Sequence, residues 1–102
     1  MSNKSYGLSK ERELRKRFEA QGYWVVPAKG SLGTFDGIAF NLTEAILFQV
    51  KATKQQYYSY KKEIEEIEKF KKHPQGWKKQ LWIYLAPNKK RKERGWIKRE
   101  IK

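Results

Sequence analysis

The chain has no cysteine, one histidine, three prolines and no apolar run approaching the roughly 18 residues of a membrane span. Each gap removes a class of chemistry. Without cysteine there is neither a disulfide framework nor a thiolate metal centre. A single histidine, His73, excludes metal centres that need two imidazoles, and no serine motif supports Ser–His catalysis. Met1 to Gly7 carry no apolar segment of a secretory signal, so a cytoplasmic protein with no membrane partner is expected. Asn41-Leu42-Thr43 then reads as a turn and not as a glycosylation site. Acidic residues are also scarce. Eleven Asp and Glu stand against 24 Lys and Arg, a net charge of +13 with an isoelectric point near 10.0. A solvated Lys/Glu surface would balance its signs. This imbalance points to a polyanionic partner, nucleic acid above all.

What is present is area in few, large side chains. Four Trp, six Tyr and five Phe supply much of the core of a 102-residue chain. One domain over residues 1–102 is expected, with 1–7 as a flexible tail. Residues 8–21 read as a helix: Ser9 caps it, Leu14 and Phe18 share one face, and Gly22 suits the left-handed position after it. Tyr23 to Val26 reads as a strand stopped by Pro27. A glycine-containing loop, 29–34, leads to a second strand, Phe35 to Phe40, then a short turn. Ala45 to Lys51 has the continuous apolar start of a central strand. Alternation sets Ile46, Phe48 and Val50 on one face and Leu47, Gln49 and Lys51 on the other. A second helix, 58–72, presents Tyr60, Ile64, Ile67 and Phe70 or Lys71, with His73 as a C-terminal cap. Strands at 80–85 and 96–101 complete an α-β-β-β-α-β-β order, an α/β domain with a mixed sheet.

The chemistry concentrates where the second and third strands meet. Hydrolysing a phosphodiester needs charge neutralisation, an activated water and help for the leaving oxygen. Mg²⁺ takes oxygen ligands and keeps several waters, so one or two carboxylates and a carbonyl suffice. Asp36, Gln49 and the Val50 carbonyl form such a half-shell. Lys51 can orient the water or stabilise developing charge. Glu11 lies three residues before Leu14 and seven before Phe18, on the inward face of the first helix, and can complete the shell directly or through water. Taken singly, Asp36 can be a turn residue, Lys51 a strand end, and Glu11 a complement to the helix dipole.

The segments Ser9-Lys10-Glu11-Arg12-Glu13-Leu14, Gly22-Tyr23, Gly30-Ser31 with Asp36, and Phe48-Gln49-Val50-Lys51-Ala52-Thr53 resemble the PD-(D/E)XK nucleases. The closest resemblance is to archaeal-type Holliday junction resolvases. It covers residues 7–54 in order and spacing; beyond them only the helix-then-strands layout agrees. The resemblance implies a restriction-endonuclease-like domain acting as a Mg²⁺-dependent DNA endonuclease, with Mn²⁺ as a possible substitute, and a homodimer acting on branched or duplex DNA. Glu11, Asp36, Gln49 and Lys51 then correspond to the site residues, and Ser31 to a loop serine important for cleavage. Two positions depart from the pattern. Phe35 replaces the motif proline, and Gln49 stands where an acidic residue is usual. An amide oxygen still binds Mg²⁺ but brings no charge. The departure keeps two alternatives open: a restriction-like or otherwise divergent endonuclease, and an inactive nucleic-acid-binding module of the same fold.

Basic residues surround this site. Lys29, Gly30 and Ser31 precede Asp36, and Lys54 follows Lys51, placing phosphate contacts on either side of the cut. Arg12, Arg15, Lys16 and Arg17 fall mostly on the exposed side of the first helix. Lys89, Lys90, Arg91 and Lys92 form either a second patch for a distant DNA arm or a solvated turn. No base-reading motif is visible, so shape recognition is expected.

Overall fold

Whether a residue of the central strand faces one helix or the other is set by its parity, and this is what positions the site. The structure, a computed structural model, describes residues 3–28, 34–53, 59–71, 73–86 and 95–101, with side chains from Ser9 onward. Helix α1 (Asn3–Ala20) is followed by strands β1 (Trp24–Pro27), β2 (Gly37–Phe40) and β3 (Ala45–Thr53). Helix α2 (Lys61–Lys69) and strands β4 (Lys78–Leu85) and β5 (Gly95–Ile101) complete the chain. The sheet runs β1-β2-β3-β4-β5, antiparallel except for the β3–β4 pair, whose parallel sense requires the α2 crossover. This is the expected α/β fold with a mixed sheet.

Two apolar clusters lie on opposite sides of the sheet. Leu14 and Phe18 of α1 pack with Ala39, Ile46 and Phe48. Ile67 of α2 packs with Phe35, Leu47, Leu81, Ile83, Leu85 and Ile101, and Tyr60, Ile64 and Phe70 border it. The alternation along β3 thus follows the expected faces, and Phe70 rather than the exposed Lys71 completes the α2 stripe.

Several boundaries differ from the sequence reading. Helix α1 begins at Asn3, so residues 3–7 are helical rather than a tail, and Ser9 lies inside the helix instead of capping it. Its end is as expected. Gly22 has φ +92°, Gly22 N–H donates to Glu19 O, and Tyr23 N–H donates to Phe18 O, a Schellman closure. Pro27 is the last residue of β1; on an edge strand its missing N–H need not cost a ladder bond. Helix α2 is shorter than expected, with Tyr60 and Phe70 as its caps. Its C-terminus is held by Lys79, not His73. The Lys79 ammonium donates to the carbonyls of Ile67 (2.8 Å), Phe70 (3.1 Å) and Glu68 (3.4 Å). His73 stacks on the Phe70 ring, and its Nδ1 is buried without a partner. No helix among the described residues is long and apolar enough to cross a membrane.

Candidate active site

β2 and β3 pair only as far as Gly37 and Phe48. One residue earlier the chain bends at Asp36, and the two strands part. The Asp36 N–H donates to Phe48 O at 2.8 Å, while its Oδ2 accepts the Val50 N–H at 2.6 Å. In an antiparallel pair a residue turns its N–H and C=O to the same edge, so the Val50 carbonyl also faces this gap. Gly37 is required here. A Cβ on it would stand 2.8 Å from both the Phe48 ring and the Val26 carbonyl oxygen.

From α1, Glu11 meets Asp36 across a cleft of about 270 Å³, lined also by Arg12, Arg15, Val25, Pro27 and Phe48. The Glu11 carboxyl is pushed up to about 7, first by partial burial, then by a hydrogen bond to the Asp36 carboxylate and by its charge. Two carboxyl groups held this close favour either a shared proton or a cation. What keeps Glu11 turned to the cleft is the rest of its helix. Leu14 and Phe18 are buried beneath it, and Glu13 accepts the Trp96 indole N–H at 3.2 Å. Lys10 pairs with Glu13 at 2.9 Å and lies 3.6 Å from the Tyr84 ring centroid. Lys10, and then the Trp96 N–H, hold Glu13 below the usual carboxylate range.

Gln49 and Lys51 do not line this cleft. Parity directs them to the side of Leu47, opposite Phe48, and they pair in register with Leu81 and Ile83. Gln49 is only 9% exposed, and its Oε1 has no hydrogen-bond partner. A buried acceptor left unpaired is uncommon enough to need a reason. Asp36 sits in the gap where β2 leaves β3 and lines the cleft on the α1 side. Glu11, Asp36 and the Val50 carbonyl bring oxygen atoms, the donor type Mg²⁺ takes, to the cleft and the gap, whereas Gln49 Oε1 lies on the other side of the sheet. Among the described residues no three His, Cys, Asp or Glu side chains cluster as a metal group. Lys29, Gly30, Ser31, Lys54 and Lys89 to Lys92 lie outside the described residues.

Two groups escaped the sequence reading. Arg15 is half-buried in the cleft rather than on the outer side of α1. Its spacing of four from Glu11 was the available signal. Trp96 holds Glu13 across 83 positions of sequence, a contact no local pattern announces.

A sequence profile of the archaeal Holliday junction resolvase family (Hjc) matches residues 2–99. A search of curated proteins gives no match.

Proposed function

Because the chain belongs to the archaeal Holliday junction resolvase family, we propose that it is a Mg²⁺-dependent endonuclease that hydrolyses phosphodiesters at DNA junctions as a homodimer inside the cell. The observation that carries this reading is the Glu11–Asp36 pair at the gap where β2 leaves β3, with the Val50 backbone turned to the same gap. Glu11, Asp36, Gln49 Oε1 and the Val50 carbonyl would hold Mg²⁺, with Mn²⁺ as a substitute. When bound, the ion supplies charge neutralisation at the phosphate and a more acidic water. The chain's own residues do the rest. The Val50 N–H fixes one Asp36 oxygen and so aims the other. The Lys51 ammonium, two residues beyond Gln49, brings positive charge to the charge developing on the phosphate. Arg12, at the cleft, holds the backbone of the bound strand, and Ser31, Lys29, Gly30 and Lys54 belong to the segments adjoining the site in sequence.

Two nicks placed symmetrically in a junction call for two sites. The apolar side of β1 and β2 supports pairing with a second copy. Trp24 and Val26 are 59% and 53% exposed, and Val26, Ile38, Phe40 and Trp77 line a groove of about 680 Å³.

Asp36→Ala should abolish nicking of a synthetic four-way junction in Mg²⁺ while junction binding changes only a few-fold. Cleavage surviving that change would remove the site assignment. The neutral Gln49 favours one rival, a junction-binding protein that does not cut. Gln49→Glu separates the two: raised metal-dependent cleavage marks a weakened ligand, whereas no nicking by either protein leaves the binder.

A further inference from the structure

The cleft beside Glu11 is lined by more than its two carboxylates. Its α1 wall carries Glu11, Arg12 and Arg15, its β1 wall Val25 and Pro27, and Phe48 closes its base. The Ala28 N–H donates to Asp36 O at 2.9 Å, so Pro27 marks the carboxylate end. Val25, two residues back along β1, belongs with Leu14 and Phe18. The groove therefore runs from the carboxylates along α1 towards the start of β1, an edge strand. Arg15 lies one turn after Glu11, about 6 Å further along the helix. Neither Arg12 nor Arg15 has an ion-pair partner among the described residues, although Glu13 and Glu19 share their helix. A guanidinium half-buried over Val25 and Phe48 is partly shielded from water, which strengthens its attraction for an anion. The planar fork suits two phosphate oxygens.

We propose that Arg15 binds the phosphate neighbouring the one that is cut, and so threads the cleaved strand along the α1–β1 groove towards the β1 edge. The apolar walls then take the sugar between the two phosphates. This rests on reading Glu11 and Asp36 as the hydrolytic site, and it adds which way the strand leaves that site. Arg15 is set one helical turn along the groove from Glu11, where it would serve binding and register rather than bond breaking.

The test uses a four-way junction in which one methylphosphonate, a neutral phosphate, is moved position by position along one strand. Binding is measured in EDTA and nicking in Mg²⁺. Arg15→Gln should weaken binding of the unmodified junction about 10-fold and lower the slope of log affinity against log salt by about 1. At one position of the scan, next to the phosphate that wild type cuts, the neutral group should weaken wild type but leave Arg15→Gln unaffected. Arg15→Lys should keep the salt slope, which separates a lost charge from a disturbed helix. Wild-type affinity and slope in Arg15→Gln, or additive effects at every position, would overturn the inference. A wild type that binds but never nicks would instead remove the hydrolytic reading, and the scan would still decide whether Arg15 holds a phosphate.

Discussion

Helix α1 holds six basic and three acidic residues, a net +3, whereas α2 holds three basic and four acidic, a net −1. The two helices cover opposite sides of one sheet, and their means of attachment differ as well. Phe18 meets Phe48 and Trp82 with ring centroids 5.3 and 5.5 Å apart, and the Lys10–Glu13–Trp96 chain fixes the roll of α1. Helix α2 packs Ile67 among Leu47, Leu81 and Ile83, and at its end the Phe70 ring meets Phe35. The one buried ammonium described on that side, Lys79, is turned to backbone carbonyls. The α1 side thus leaves carboxylates and guanidinium groups facing a cleft, while the α2 side directs its buried charge to its own main chain. The proposed chemistry would take its two carboxylates from the first side, while Gln49 and Lys51 turn to the second.

Lys79 offers the largest break in that contrast. It is 3% exposed, and burial, then the charge of Lys71, holds its ammonium below the usual lysine range. Lys79→Met removes the donor but leaves the carbonyls at the end of α2, at a cost of about 2 kcal/mol. The urea midpoint should fall with an unchanged m-value, and the folded fraction should bind junctions as wild type does. Equal stability would mean that solvent reaches those carbonyls. Normal stability with lost binding would put function on the α2 side. A smaller effect separates the outer surfaces. Arg12→Gln on α1 should weaken junction binding about 10-fold and lower the salt slope by about 1, while Lys62→Gln on α2 changes neither. Equal losses from both would make the attraction a property of net charge alone.

Local rules carried much of this architecture. The element order, the faces of β3, the Gly22 stop and the edge position of β5 follow from periodicity and from single-residue preferences. Of the candidate site, local pattern made legible the inward facing of Glu11 on α1 and the shared face of Gln49 and Lys51 on β3. What stayed hidden depends on distance in sequence. The end of α2 is set by a lysine on the next strand, and the start of β2 by the bond from Val50 to the Asp36 side chain. The parity of Gln49 and Lys51 was legible, but not that Glu11 and Asp36 line a cleft on the other side of the sheet. Arg15 read as exposed because three basic neighbours in sequence share its type, although its offset from Glu11 points it inward.

The smallest effect concerns protons on the α1 side. Glu11 has an ordinary carboxyl range near 4.5 when unfolded and about 7 when folded. Between those values the folded state binds more protons than the unfolded one, so stability falls as pH rises through that window. Above about 7 both states have lost the proton, and the penalty is fully present and no longer changes. Glu11 is only partly buried, so solvent screening keeps the effect under about 1 kcal/mol. In EDTA, melting temperature relative to Glu11→Gln should therefore decline from pH 4.5 to 7 and then level off. A divalent cation needs both carboxylates ionised, so adding Mg²⁺ should stabilise the wild type more as pH rises through the same range. If Glu11→Gln shows the same decline in EDTA, the proton is held elsewhere and the Glu11–Asp36 contact is not what distinguishes this side of the sheet.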